Sequence, residues 1–222
     1  MIRFKSVVLF LTVTVSAFTG LAQTQPATPA LPEASQATKQ EQPSDYASLL
    51  ARVKSGDLTI DFKHLRFSWI DSPERHKAKD TDEEKKTMFV ALNSKDHKNV
   101  IKNGDVVLEQ EFVDMDAHFA EFIAYRELQD KPKADFHQAV FAALLRSITG
   151  NGDGKSTKTA YAVISVHEEY VVLRTMGLQP SKQSVLNENG HSYDRLETQS
   201  RETGATVVVY FNVDIPFKHY LN

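Results

Sequence analysis

The sequence predicts an α+β protein in which a helical region precedes a small, mainly antiparallel sheet that carries one helix. Between residues 45 and 149, apolar residues recur at the three- and four-residue spacings of amphipathic helices. After residue 154, runs such as ATVVVYFN over 205–212 are instead typical of strands. Helices that come before strands, rather than alternating with them, indicate the α+β class.

The first 44 residues are expected to lie outside the folded part. A basic start is followed by an apolar run over 7–18 and by Gly20 and Ala22, small residues at the two positions that a signal peptidase reads. We therefore predict a signal peptide over 1–22, a secreted or periplasmic location in a bacterium, and no stable membrane span after cleavage. An uncleaved anchor is the alternative, although the apolar run is shorter than the roughly 20 residues of a spanning helix. Residues 23–44, rich in Pro, Gln and Ala, predict a disordered linker.

The helical region is predicted over 45–149. Its helices are expected to begin near Asp45 and at Asp61 and then to span about 82–93, 95–110, 114–129 and 132–148. Pro73 is expected to stop the second helix and to open an exposed polar loop. Thr81 and Glu84 have the spacing of a capping box for the third helix. Short joints between the last four helices favour antiparallel packing.

A shift of 34 residues superimposes apolar positions of these last four helices. Met88 falls on Phe122, and Val107 falls on Phe141. A helix–turn–helix period of this length resembles the tetratricopeptide repeat, whose usual Gly and Trp positions are unfilled here. Two degenerate tetratricopeptide-like hairpins and an ordinary helical bundle therefore both stay open.

The α+β region is predicted over 150–222. We expect strands at 160–166, 183–186, 193–198 and 205–212, a helix over 167–177, and a closing turn of helix over 217–221. Asn189-Gly190 predicts a tight turn between the second and third strands. The last strand is the most apolar and is expected to lie inside the sheet.

The glycine-rich stretch GNGDGKST (150–157) poses the question of a phosphate or calcium site. A phosphate loop that ends in Gly154-Lys155-Ser156 requires Gly at 149, where Thr stands, and a following helix where we expect a strand. A calcium loop with Gly154 at its sixth position would have Thr149 first and Ala160 twelfth. We predict a hinge instead, with Gly150 capping the preceding helix in the left-handed conformation, and expect no cofactor.

Histidines supply the other candidate metal ligands. The run that begins at His167 lacks the second His that a zinc helix requires four residues later. His118 and His137 are predicted to lie ~10 Å apart along antiparallel helices, too far apart to share a metal, and each is expected to be a packed or hydrogen-bonded histidine. His191 and Asp194 flank a turn and could form a hydrogen-bonded pair.

Other polar candidates allow more than one interpretation. Asp114 and Asp116 could be acid–base partners or simply helix-start residues. The chain contains no cysteine and no G-x-S-x-G nucleophile elbow, so a catalytic triad has no support.

Several segments together resemble an uncharacterised family of secreted bacterial proteins defined only as a domain of unknown function. They are IDFKHLRFSWIDSP (60–73), VDMDAHF (113–119), ADFHQAVFAALLRSI (134–148), GDGKSTKTAYAVISVHEEYVVLRTMGL (152–178), QSV (183–185), NGHSYD (189–194) and VVYFNVDIPF (208–217). The resemblance implies a secreted α+β protein with tetratricopeptide-like helices. It implies no reaction, cofactor or catalytic residue.

Composition and motifs leave two functional hypotheses. The net charge of −3, without a basic stripe, argues against a nucleic-acid partner. The first hypothesis is a non-enzymatic protein-binding or scaffold module with its partner on the helical region. The alternative is a periplasmic enzyme or small-ligand receptor with a site where the glycine-rich loop meets the sheet. Its polar groups would be Asp153, Lys155, His167, Glu168 and Arg174.

Overall fold

The computed structural model describes residues 46–220, so the predicted signal peptide (1–22) and linker (23–44) lie outside the described residues. Within that range the α+β prediction is confirmed, because a series of helices precedes a four-stranded sheet. None of the helices in the described range is long and apolar enough to cross a bilayer.

The helices before the sheet begin where short polar side chains can cap them. They are α1 (Tyr46–Lys54), α2 (Phe62–Ile70), α3 (Pro73–Lys77), α4 (Asp82–Asn93), α5 (His97–Gln110), α6 (Met115–Glu127) and α7 (Lys131–Thr149). The carboxylates of Asp61, Asp96, Asp114 and Asp130 accept a backbone N–H from the first turn of α2, α5, α6 and α7 respectively. The predicted helices are therefore confirmed, with ends shifted by at most a few residues.

Three local predictions in this region are wrong. Pro73 opens α3 rather than a loop, because Ser72 Oγ accepts the N–H of Arg75. Thr81 makes no side-chain capping bond, since its ψ of 21° is not the extended value of a cap residue. Gly150 is the C-cap residue of α7 as predicted, but it is right-handed, with φ −77°, and its N–H donates to Arg146 O. Within the glycine-rich stretch 150–157, the left-handed residue is Gly154, with φ 66°.

Helices α4 to α7 form a layered helical unit. Each packs on the next, and α4 also contacts α6. Its first three helices, α4 to α6, share a core formed by Met88, Ala91, Val100, Val107, Leu108, Ala117, Ala120 and Ala124. The small residues on α6 bring its neighbours close to its backbone, which leaves little space for a larger side chain between them.

The sheet has the order β1-β4-β3-β2, with β1 and β4 parallel and the other pairs antiparallel. Its strands are β1 (Tyr161–Ala162), β2 (Leu178–Glu188), β3 (His191–Ser200) and β4 (Thr206–Asn212). The interior position of β4 confirms the prediction from its apolar sequence. The turn between β2 and β3 is also confirmed, with positive φ at Asn189 (53°) and Gly190 (81°).

Two helices accompany the sheet, α8 (Val166–Thr175) and α9 (Asp214–Tyr220). The first strand is shorter than predicted because Ser165 caps α8 by accepting the N–H of Glu168. A second hydrophobic core lies between the sheet and α1, α2, α7 and α8; its fully buried members include Val53, Leu65, Leu144, Val171 and Phe211.

Candidate functional site

A polar cleft of about 140 Å³ lies where the start of α8 meets α4 and the joint between α5 and α6. We call it the junction cleft; its polar lining residues are Lys85, Glu111, Asp114, Ser165, His167 and Glu168. The cleft contains two of the predicted site residues, and each of its charged groups has a defined partner.

Lys85 closes one side of the junction cleft. Its Nζ lies 2.8 Å from Asp114 Oδ2 and 3.3 Å from Glu111 Oε2. Burial alone would lower the pKa of Lys85, but the two carboxylates outweigh it and raise that pKa. Asp114 also caps α6 through the N–H of Ala117, which confirms the helix-start interpretation of this residue. The ammonium group therefore ties α4 to the start of α6.

Asp116 links α6 to α8. Its buried carboxylate lies 2.8 Å from His167 Nε2 and accepts a hydrogen bond from the Arg174 guanidinium, while both partners are about half exposed. The hydrogen bond to Asp116 raises the pKa of His167. Burial opposes ionisation of Asp116, but the bonds from His167 and Arg174 hold its pKa below the ordinary value. The result is an ion pair that bridges the two parts of the fold.

Glu168 faces away from this pair and meets Arg66, which is fully buried. Arg66 Nε donates to Glu168 Oε1 at 2.7 Å, and the Ile164 N–H donates to Oε2 of the same carboxylate at 2.9 Å. Arg66 also donates to Ser147 Oγ and Ala162 O. This bidentate pair joins α2, α7, β1 and α8, and it places Glu168 in a structural role.

The structure separates the predicted site residues into two groups. His167 and Arg174 meet on Asp116 with Glu168 beside them, whereas Asp153 and Lys155 lie in the glycine-rich loop. There Asp153 Oδ1 accepts the N–H of Lys155 and the hydroxyl of Thr159. Among residues 46–220, no hydrogen bond or ion pair joins the two groups.

The glycine-rich loop is tied to the sheet. Tyr210 donates its N–H to Gly154 O at 2.7 Å, and Gly154 donates to Thr159 O at 2.9 Å. A Cβ on Gly154 would lie 2.5 Å from the Tyr161 ring, so the loop packs directly on β1. The loop is therefore an ordered connection beside the sheet edge.

A buried chain of polar groups inside the helical unit is a feature that the sequence did not reveal. His118 Nδ1 and His137 Nδ1 are 3.1 Å apart, so the prediction that these residues lie too far apart is wrong. Counted from the helix ends, His118 is nine residues before Glu127 and His137 six after Lys131, an axial offset of only ~4.5 Å. The predicted separation of ~10 Å was too large because the joint between α6 and α7 spans three residues, 128–130, and is not a single point in the chain.

The direction of hydrogen bonding between these buried polar groups follows from the group at each end of the series. His118 Nε2 lies 2.8 Å from Phe112 O, a pure acceptor, so it carries a proton. With neutral rings, His118 Nδ1 then accepts from His137 Nδ1, and His137 Nε2 lies 3.1 Å from Glu121 Oε2. Burial raises the pKa of Glu121 to about 8 and lowers those of His118 and His137 to about 4 and 3, which fits this arrangement.

The predicted pair of His191 and Asp194 is not formed. His191 and Asp194 lie three residues apart on β3, so their side chains point to opposite faces of the sheet. His191 Nδ1 instead lies 2.6 Å from Asp214 Oδ2 on α9. Asp194 is buried and accepts from Gln183 Nε2 on β2. It also faces Glu169, whose pKa burial raises to about 8, so that Glu169 keeps the proton that the two carboxyl groups share.

An aromatic surface lies on the outer side of α6 and α7 and consists of Phe119, Phe122 and Phe141. The Phe119 ring centroid is 5.4 Å from that of Phe141 and 6.4 Å from that of Phe122. Phe119 is exposed and its two neighbours are partly buried. The sequence carried a signal for this surface, because apolar residues of α6 extend beyond the single face that packs on its neighbours.

A groove of about 390 Å³ continues the aromatic surface towards the joint between α6 and α7. Phe122 and Ala134 line it together with Arg126, Lys131 and Asp135. The Arg126 guanidinium stacks 5.3 Å from the centroid of Phe122. An apolar base with charges of both signs at the rim is the usual anatomy of a protein-recognition surface.

In the described part of the chain, no group of three or more His, Asp or Glu side chains is arranged to hold a metal ion. A model of the family described as "Domain of unknown function (DUF4919)" matches residues 34–222. The chain belongs to this family. The match covers both the helical unit and the sheet. Searches of curated proteins and of solved structures give no match.

Proposed function

We propose that this DUF4919 protein is a secreted or periplasmic, non-enzymatic module that binds a protein partner through the aromatic surface of α6 and α7. The observation that carries the proposal is the accessible cluster of Phe119, Phe122 and Phe141 beside a groove of about 390 Å³. Aromatic rings are enriched at protein interfaces, where each contributes a large contact area at a low cost in conformational entropy.

The occupation of the polar groups supports a binding role over catalysis. Asp116 is engaged by His167 and Arg174, Lys85 by two carboxylates, and Glu168 by Arg66. A general base or a nucleophile needs a free position from which it can reach a substrate. In the junction cleft these contacts instead hold the two parts of the fold together.

The helical unit offers a second line of support. Helices α4 to α7 pack in sequence, and α4 touches α6, a next-neighbour contact of the kind that stacked helical hairpins make. The 34-residue period of the sequence supports the same proposal. We therefore assign the binding surface to this unit, with its partner presenting an apolar side chain to the groove.

The test is affinity capture from a periplasmic extract of the source organism, followed by a binding titration with the identified partner. Phe119→Ser should raise the dissociation constant at least about tenfold, since an exposed aromatic ring that becomes buried against a partner contributes about 1.4 kcal/mol or more. Val90→Ser on α4 is the matched control, because Val90 is also an exposed apolar residue but lies outside the aromatic surface. The affinity of the Val90→Ser variant for the partner should stay within about twofold of that of the original chain.

Two outcomes would contradict the proposal. One is a partner whose affinity is the same for the original chain and for Phe119→Ser. The other is a small molecule that stabilises the chain against unfolding and loses that effect in His167→Ala. The second result would place the function in the junction cleft and favour a ligand receptor or an enzyme.

A further inference from the structure

Strand β2 forms the outer edge of the sheet. It is 11 residues long, and within residues 46–220 no strand lies along its outer side. Its side chains are mostly exposed, including Val185 (49% exposed) and Leu186 (36%). A long edge strand with unpaired backbone groups is a template for pairing with another strand.

The turn fixes which backbone groups of β2 point outward. In a two-residue hairpin, the residues that flank the turn form a hydrogen-bonded pair, here Glu188 and His191. Pairs then alternate along the ladder, so the N–H and C=O groups of Gln183, Val185 and Asn187 point away from β3.

The opposite strand confirms this assignment. Ser192 lies opposite Asn187 and makes its backbone bonds on its other side. Its N–H donates to Asp214 Oδ1, and its carbonyl accepts from Val213 N. Ser192 and Asn187 therefore form a non-hydrogen-bonded pair, as the alternation requires.

The sequence of β2 is self-complementary about Val185. Lys182 and Glu188 lie three residues to either side of it, and the carboxamides of Gln183 and Asn187 lie two residues to either side. An antiparallel copy centred on Val185 would set Lys182 opposite Glu188 and Gln183 opposite Asn187. The outward-pointing residues fall opposite one another in this register, so the backbone ladder and the charges agree.

We propose that the protein forms a two-fold symmetric dimer in which β2 pairs with β2 of a second copy, with Val185 on the axis. The paired segment runs from Lys182 to Glu188 and joins the two sheets into one. The same patch is used on both copies, so the contact closes on itself and does not propagate into a fibre. Pro180 and the irregularity between Pro180 and Lys182 end the pairing on one side.

Disulfide trapping tests the register directly, because the natural chain contains no cysteine. In the full chain, Val185→Cys should form a covalent dimer under mild oxidation. The two Cα atoms of a hydrogen-bonded antiparallel pair are about 5.5 Å apart, within the range of about 4.4–6.8 Å that a disulfide spans. Non-reducing electrophoresis measures the dimer fraction.

Asn187→Cys is the matched control. The side chain of residue 187 lies on the same face as that of residue 185, and its backbone groups also point away from β3. In the proposed register, however, residue 187 of the second copy lies opposite residue 183, four residues or about 14 Å from residue 187 of the first copy. Asn187→Cys should therefore stay monomeric, whereas the double variant Gln183→Cys/Asn187→Cys should crosslink. Equal crosslinking of Val185→Cys and Asn187→Cys, or none in either, would overturn the proposal.

Charge exchange tests the dimer without a covalent trap. In sedimentation equilibrium, the original chain should show a species of twice the 25.0 kDa chain mass. Lys182→Glu should weaken the dimer about tenfold, since it places like charges opposite each other at two symmetric positions. Lys182→Glu/Glu188→Lys should recover most of that loss. Lys182 lies opposite Glu197 within the chain, and both variants change this intrachain pair in the same way, so the recovery would come from the contact between the two copies. A purified chain that stays monomeric at all concentrations, or a double variant no tighter than the single one, would overturn the proposal.

Discussion

At the residue scale, Asp116 is the carboxylate that links α6 to α8 beside the junction cleft. It is buried on α6, and its two cationic partners, His167 and Arg174, are both on α8. Neutralising such a residue leaves two donors without a charged acceptor and weakens a contact between sequence segments 51 residues or more apart.

Asp116→Asn should lower the free energy of unfolding by about 1–2 kcal/mol, a value reduced for the exposure of the two partners. The folded-state pKa of His167 is raised, so its share of the stability is present below the unfolded value of about 6.5 and is lost as pH rises through the folded value. Urea denaturation at pH 6 measures the loss, and a proton NMR titration should show the pKa of His167 falling in the variant. An unchanged His167 pKa would contradict this account.

At the element scale, the boundaries of the helices could be predicted because they depend on local signals. Capping aspartates and the apolar period lie within a few residues of the ends that they determine. Side-chain partners could not be predicted in the same way. The contacts of His137 with Glu121, and of His191 with Asp214, depend on how whole elements pack, which a single sequence does not specify.

Gly104 shows this dependence within one helix. It lies inside α5, where alanine would ordinarily be about 1 kcal/mol more favourable. A Cβ at this position would lie 2.5 Å from Glu121 Oε1, and Glu121 is fully buried against His137. The sequence alone shows only a weak helix residue, whereas the structure shows that its missing side chain makes room for α6.

Gly104→Ala should therefore destabilise the protein by about 1–3 kcal/mol in spite of its better helix propensity. Lys102→Ala, at an exposed position of the same helix, should change stability by no more than about 0.5 kcal/mol. Thermal unfolding followed by circular dichroism compares the two variants. A Gly104→Ala protein more stable than the original would show that Glu121 is free to move.

At the scale of the whole molecule, stability depends on buried groups that remain uncharged. Burial raises the pKa of Glu121 and of Glu169 to about 8, and lowers those of His118 and His137 to about 4 and 3. Between about pH 4.5 and 6.5, all four groups are neutral in the folded state. In the unfolded state, the two carboxyl groups have lost their protons and the two histidines have each gained one, so both states bind the same number of protons. Above about pH 6.5, of these four groups only the two carboxyl groups differ between the folded and unfolded states, and the folded state binds more protons.

The unfolding midpoint should therefore be nearly flat between about pH 4.5 and 6.5 and should fall between about pH 6.5 and 8. Glu169→Gln keeps the size of the side chain without an ionisable group, so the fall at alkaline pH should be smaller in that variant. Differential scanning calorimetry across this range provides the measurement, with Glu83→Gln, an exposed carboxyl on α4, as the control. An equally steep fall in Glu169→Gln would exclude this residue as a cause.

The order of strands in the sheet has a consequence for synthesis. Strand β4 lies between β1 and β3, yet it follows both of them in the chain. A chain that emerges from its N-terminus, whether from the ribosome or from an export channel, therefore holds two separate pieces, the β2–β3 hairpin and the short β1 segment, until β4 has emerged. Before that moment β3 has an open edge of unpaired backbone groups that β4 later covers, so the chain depends on rapid completion, or on a holding chaperone, to avoid premature association.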